Sequence, residues 1–436
     1  MTKSSAPSRL PGFRDFPPAE LALRSHIIEG WRRVARRYGF EEYDAPPLEP
    51  LELYTQKSGD EIVAQLYDFQ DKGGRPVALR PEMTPSLARI LCERSRSLPK
   101  PIRWFSVPQL FRYERQQRGR LREHIQWNVD LVGESGVEAE AEVLSVALDG
   151  LRSFGLDHTE IRARVSDRVL LAEVLSAAGV PADRMVAAFS VIDKVERDSG
   201  ARTRERLEVE ASLEAEGAER ILSLLGEPGL DAVERTFGGS LAVADRLREL
   251  RRFLEIMSEL GFEDFVEFDL RIVRGLAYYT GIVFEVFDRR GEFRAICGGG
   301  RYDQLLDRFG GEPLPAIGFG MGDVVLGELL RDRGLLPEHR RSVDLYIVAV
   351  RDELLPLARR MARRAREGGR SVLYPLRPLS VKKQFAQAAA EGARQVLILG
   401  PDEVVRGVAK LRSMEDGVET EVSIEAWEAT GGGGGG

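Results

Sequence analysis

Arg112, Arg115, Arg118, Arg120 and Arg122 fall within eleven residues of a chain whose formal net charge is −7. Such a local excess of cation suits an anionic ligand. A guanidinium stays ionised and donates two parallel hydrogen bonds, so phosphate is the natural partner. The stretch Phe111–Asp130 turns around Gly119 and then becomes apolar at alternate positions, at Trp127, Val129 and Leu131. That alternation is the period of a strand. The whole reads as a hairpin with a basic tip. Gln126 and Asp130 share one face of its returning strand, so the hairpin could hold a polyphosphate beside a polar small molecule. A solvated basic loop on an edge hairpin fits the same residues equally well.

Other candidate binding groups sit in loops that need a scaffold. Arg80-Pro81-Glu82-Met83-Thr84-Pro85 lies between a strand-like run, Pro76 to Leu79, and a helix through Leu87, Ile90 and Leu91. Polar loops at such junctions often carry ligand contacts. Apolar residues recur near a period of 3.6 from Pro17 to Tyr38 and from Glu138 to Phe154, each predicting a helix. Residues 168–260 lose strand character, and Leu, Ala, Glu and Arg dominate at helical spacing, which predicts a helical insertion. Strands are predicted again at Phe265 to Ile272 and Ile282 to Phe287. The peptide Arg274 to Gly281 lies between them, and Gly298-Gly299-Gly300-Arg301 follows. A triple glycine next to Arg301 suggests backbone brought close to a ligand. Few helices of crossover length separate these strands, so the sheet should be largely antiparallel.

Beyond a polar linker, 335–342, regular strand–helix alternation predicts a small α/β domain over 343–430, ahead of a glycine tail, 431–436. The predicted organisation is an α+β core formed by 1–167 and 261–334, the helical insertion 168–260, and this last domain. Hydrophobic and charged contents of 43% and 31% suit a soluble globular protein. No run of about 18 apolar residues offers a membrane span. Neither a secretory signal nor a disulfide framework is evident, since the cysteines are only Cys92 and Cys297. A cytoplasmic location is expected. The acidic balance excludes general affinity for DNA, so any nucleic-acid contact should come from local basic patches.

Several of these stretches together resemble the histidyl-tRNA synthetases, a family of class II aminoacyl-tRNA synthetases. Leu10-Pro11-Gly12-Phe13-Arg14-Asp15 is similar to the family's N-terminal signature, and Tyr38-Gly39-Phe40 to Pro46 to its first class motif. Phe111-Arg112-Tyr113-Glu114-Arg115 is similar to the second, Arg274-Gly275-Leu276-Ala277-Tyr278-Tyr279 to the peptide peculiar to histidine enzymes, and the last domain to an anticodon-binding module. The resemblance implies a homodimer that joins L-histidine to histidine tRNA through a histidyl-adenylate, with ATP as substrate and Mg²⁺ on its phosphates. It also implies roles. Arg112, Arg274 and Gln126 are the catalytic candidates. Glu82, Met83, Thr84, Arg112, Gln126, Asp130, Arg274, Tyr278 and Tyr279 would surround histidine. Arg112, Glu114, Arg120, His124, Arg274 and Arg301 would meet ATP, and Gln117 and Arg118 the acceptor end of the tRNA.

Two departures stand out. The hairpin reads Arg122-Glu123-His124, without the usual aromatic for adenine to stack on, which leaves His124 as the candidate platform. Val325 occupies the place of the third-motif arginine, and Arg301 is the candidate to take over part of its role. The paired variants resemble a branch of the family found in plant organelles and some bacteria. The loss of that arginine keeps an alternative open, a non-catalytic histidine-binding regulatory subunit of ATP phosphoribosyltransferase.

Overall fold

A computed structural model describes residues 8–55, 63–115, 119–227, 229–273, 279–338 and 341–430. The chain divides into two compact units, Met1–Pro337 and Glu338–Gly436. The strands of the first unit are β1 (Glu41–Glu42), β2 (Leu48–Pro50), β3 (Tyr67–Gln70), β4 (Pro76–Leu79), β5 (Ile102–Ser106), β6 (Gln109–Phe111), β7 (Glu123–Val132), β8 (Ile161–Asp167), β9 (Val266–Phe268), β10 (Ile282–Asp288), β11 (Cys297–Arg301) and β12 (Ala316–Gly322). Nine of them form one sheet in the order β1-β5-β7-β12-β11-β10-β8-β9, with β6 paired to β7 at the side. Only the outer pairs β1–β5 and β8–β9 are parallel. A small antiparallel sheet, β2-β4-β3, carries the loop that begins at Arg80.

One face of the large sheet is apolar and covered by helices. Trp127, Val129, Ile317, Phe319, Met321, Phe284 and Val286 are buried there with the helix Val137–Arg152, itself lined by Val143, Leu144, Ala147, Leu148 and Leu151. The helix Pro18–Arg37 joins them through Trp31, whose ring stacks on Trp127 at 6.0 Å. Proline at its first position, where the N–H needs no partner, and Gly39 at φ +74° just past its end bound this helix.

Between β8 and β9 every described element is helical, from Arg168–Ala178 to Leu241–Glu259. Asp167 sets its base. Its carboxylate accepts the Leu170 N–H at 2.6 Å, capping the first helix, and pairs with Arg246 on the last at 2.6 Å. The strand predicted over Phe265 to Ile272 is shorter. A 3₁₀ turn, Glu263–Phe265, precedes β9, and Asp269 ends it by turning its carboxylate back onto Arg271.

The second unit holds β13 (Val343–Ala349), β14 (Val372–Leu373), β15 (Ala393–Leu399), β16 (Val408–Ser413) and β17 (Glu419–Ser423), ordered β14-β13-β15-β16-β17. The first three are parallel, as strand–helix alternation requires. The antiparallel pair β16–β17 went unrecognised in the sequence because only Ala409, Leu411 and Val422 turn to the core, and charged or polar residues fill most other positions.

Packing beneath the sheet leaves no room at Gly150, where an added Cβ would lie 2.6 Å from Cζ3 of Trp127. Gly150→Ala should destabilise the first unit by about 1–3 kcal/mol through overpacking. Chemical denaturation reads this, and an unchanged midpoint would show that Trp127 has space to move.

Candidate active site

The opposite face of the central strands is almost bare. Gly318, Gly320 and Gly322 of β12 stand level with Asp130, Asn128 and Gln126 of β7, while Gly300 and Gly298 of β11 stand level with Gly318 and Gly320. These glycines admit side chains that arrive from elsewhere. A Cβ at Gly320 would sit 2.8 Å from the Gln126 amide, one at Gly300 would sit 2.9 Å from Cδ1 of Tyr279, and one at Gly318 would strike Oδ1 of Asp130. Asp130 and Tyr279 therefore close over adjoining glycines from opposite sides. The Tyr302 hydroxyl donates to Asp130, from the same face as Gly300.

Arg112, Glu114, Arg120, His124 and Gln126 line one cavity of about 760 Å³, together with Val324, Val325 and Arg294. The neck of the hairpin is closed by Arg112 N–H donating to the Arg122 carbonyl at 2.9 Å, and Arg112 Nε donates to the Pro81 carbonyl at 2.8 Å. The second bond sets the hairpin beside the Glu82-Met83-Thr84 loop. Glu114 is buried and takes Arg120 at 2.6 Å, with Arg112 at 4.0 Å, which fixes both cations over the floor. Burial, reinforced by the charges of Arg112 and Arg14, pushes His124 down to about 3, so it presents an uncharged ring at neutral pH.

The hairpin rests on the N-terminal segment. Arg122 N–H donates to the Gly12 carbonyl at 3.0 Å, and a Cβ on Gly12 would lie 2.7 Å from the Arg122 side chain. Arg14 pairs with Glu123 at 2.7 Å and Asp323 at 3.0 Å, and Asp323 also accepts the Ile125 N–H at 2.9 Å. One guanidinium thus joins the two variant motifs. Burial raises the Asp323 carboxyl against the opposing pull of Arg14 and the Ile125 N–H.

Glu82 and Met83 are buried at the start of the helix Thr84–Arg94, and Asp130 and Tyr279 are buried beside the glycine floor. Arg301 faces the other way. It sits under the sheet, bidentate to Glu140 at 2.5 Å and bonded to the carbonyls of Glu134 and Gly136, and it does not line the cavity. The expected ATP contact from Arg301 is not supported by this placement. Strand alternation from Gly300 explains it, since neighbouring residues point to opposite faces. Arg274, Tyr278, Gln117 and Arg118 lie outside the described residues. Sequence reasoning missed Arg14, Arg294 and Tyr302. Arg14 lies in the Leu10–Asp15 signature with no role assigned to it, Tyr302 follows Gly300 by two residues just past β11, and Arg294 left no signal.

A profile of the histidyl-tRNA synthetase family matches residues 12–322, and an anticodon-binding domain profile matches residues 344–430. The chain belongs to the histidyl-tRNA synthetase family. It is 45% identical over 422 residues to the histidine–tRNA ligase of Opitutus terrae, covering 96% of this chain and 97% of that one. It is 39% identical to the chloroplastic/mitochondrial histidine–tRNA ligase of Arabidopsis thaliana, covering 96% and 85%. The crystal structure of histidyl-tRNA synthetase from a Nostoc species superposes with a TM-score of 0.79 at 25% identity, covering 99% of each chain. In this family member the first unit is the class II synthetase core, an antiparallel-rich sheet with helices against one face.

Asp130 generates a pH dependence. Burial raises its carboxyl from 3.8 to about 7, with the Tyr302 hydroxyl opposing. A folded-state value above the unfolded one means that folding takes up a proton between those limits, so the contribution of Asp130 to stability is greatest below 3.8 and is lost as pH rises through about 7. Asp130→Asn should flatten that fall in the thermal midpoint, whereas an undiminished slope would assign it to another group. Arg14→Leu leaves Glu123 and Asp323 buried without their cation and should cost about 3 kcal/mol or more in denaturant unfolding. A cost under about 1 kcal/mol would mean that the clamp is not needed.

Proposed function

We infer that this chain ligates L-histidine to its tRNA in two steps, forming histidyl-adenylate from histidine and ATP and then transferring the histidyl group to a ribose hydroxyl at the tRNA 3′ end. The observation that carries the reading is the arginine-lined cavity over a glycine floor, with Gln126 on its wall and Asp130 and Tyr279 beside that floor. Attack of the histidine carboxylate on the α-phosphate builds negative charge on phosphate oxygens, and a pre-positioned cation stabilises it. Arg112, tied to the Pro81 carbonyl, would take that task in our reading, joined by Arg274. Glu114 and Arg120 would hold the nucleotide, and the neutral ring of His124 offers adenine a face to stack on.

Gln126, Glu82 and Thr84 would accept the α-ammonium. Asp130 and Tyr279 would meet the imidazole nitrogens, with Tyr278 and Met83 completing the pocket. A site built to bond both ring nitrogens rejects amino acids lacking them, because its own buried polar groups would be left unpaired. Gln117 and Arg118 at the hairpin tip would meet the acceptor end, and the second unit the anticodon. Among the described residues no group of three or more His, Cys, Asp and Glu could hold a metal ion, so Mg²⁺ would arrive on the ATP phosphates. A cytoplasmic homodimer completes the proposal; no described helix is long and apolar enough to cross a membrane.

The regulatory-subunit alternative is not favoured. A Bacillus halodurans structure titled as ATP phosphoribosyltransferase regulatory subunit/histidyl-tRNA synthetase is similar at 24% identity and TM-score 0.75, a likeness of fold alone. The full-length ligase relatives and the anticodon-binding domain weigh on the other side.

Histidine-dependent ATP–pyrophosphate exchange, followed by charging of histidine tRNA, tests the reading. Arg112→Ala should lower exchange about 100- to 1,000-fold with the fold intact. Histidine binding without any exchange by the unaltered chain would restore the regulatory alternative.

A further inference from the structure

Arginines from three separate elements converge on the cavity wall: Arg120 of the hairpin, Arg197 between the helices Met185–Ile192 and Gly200–Val209, and Arg294 in the loop joining β10 to β11. Arg120 is engaged by Glu114. Neither Arg197 nor Arg294 forms an ion pair among the described residues. The adjacent Glu196 does not neutralise them, because Arg164 holds it at 2.5 Å. Burial and the charges of Arg120 and Arg197 pull the Arg294 guanidinium below its ordinary range, with Glu114 opposing. The wall also carries Glu114, Asp193, Glu196 and Glu285, but two neighbouring guanidiniums that form no ion pair among the described residues favour a polyanion.

Position narrows the choice of anion. A Cβ on Gly119 would lie 3.2 Å from Cγ2 of Val325 and 3.9 Å from Cδ of Arg294, so the two side chains flank the same glycine of the hairpin. Arg294 is exposed, whereas Arg112 is half-buried and tied to Pro81, so the line from Arg112 to Arg294 leads outward through the cavity. We propose that Arg294, with Arg197 beside it, binds the terminal phosphates of ATP, supplying from the β10–β11 loop and the helical insertion the cation that Val325 does not. This rests on the ligase reading. In the adenylation step a carboxylate oxygen bonds to the α-phosphorus while the bond from that phosphorus to the bridging oxygen breaks. Pyrophosphate leaves with the electron pair, and Arg294 meets the charge that builds on it.

The test compares full-length protein with Arg294→Ala and Arg294→Lys, in exchange kinetics and in calorimetric binding of ATP and of AMP. Arg294→Ala should raise the KM for ATP at least tenfold and leave that for histidine within twofold. It should weaken ATP binding tenfold with AMP binding unchanged, and Arg294→Lys should keep part of the affinity. Unchanged ATP binding, or equal losses for ATP and AMP, would overturn the proposal. Should the unaltered protein show no histidine-dependent exchange, the ligase reading fails by itself. The ATP against AMP comparison still decides whether Arg294 contacts the terminal phosphates.

Discussion

The first unit depends on a sheet that is crowded on one face and stripped on the other. Trp127, Phe319 and Phe284 fill the covered face, and the glycines of β11 and β12 empty the open one. Glycine weakens a strand, since it brings no side chain and loses more freedom on ordering. The same strands make good that weakness underneath, where Trp127 stacks on Trp31 and meets the Phe319 ring edge-on at 5.1 Å. The two faces are thus one solution. The buried aromatics hold the strands flat enough for backbone to form the floor of a pocket, and that floor lets Gln126, Asp130 and Tyr279 reach over it.

Charge in the site follows a common pattern. Three ionisable groups of the site, two of them enclosed and Arg294 exposed, are only partly compensated by the protein. Asp130 has the Tyr302 hydroxyl where an ion would suit it better, His124 sits neutral between arginines, and Arg294 faces other arginines. Glu114 and Asp323 do the opposite work, each holding an arginine in a fixed place. The site is therefore ordered by carboxylate–arginine pairs at its edges and left electrostatically incomplete at its centre. Such preorganisation lets charge be stabilised with little rearrangement when it develops.

What could be read from the chain alone follows from range. The hairpin, the stripe through Trp31 and Val34, and the helical texture of 168–260 are local patterns, and they give an α+β core with a helical insertion; the class II family and the candidate ligand residues rest on the resemblance of short motifs. Arg301 shows where local reading stops. The triple glycine suggested a ligand close to the backbone; the structure sets the Tyr279 ring against Gly300, and alternation turns the next side chain, Arg301, beneath the sheet to Glu140. Arg14 and its partners are separated by more than a hundred residues, and no spacing rule connects them. Nothing in the local sequence marks Arg294, and only the fold sets it against Gly119 and Val325. The strands β16 and β17 send only Ala409, Leu411 and Val422 to the core, too short an apolar alternation to announce a strand.

The Arg14 clamp has a consequence for how such a chain can diverge. Glu123 and Asp323 belong to different motifs, yet each is buried against the same guanidinium. Replacing Arg14 strands two buried carboxylates, and replacing either carboxylate leaves the half-buried Arg14 with one partner, so each single step away from the arrangement carries a loss. The three positions make an evolutionary ratchet. A hairpin transplanted from a relative of different design would have to bring its own N-terminal segment and its own start to the helix Asp323–Asp332, and the unit of inheritance here is the set of three rather than any motif.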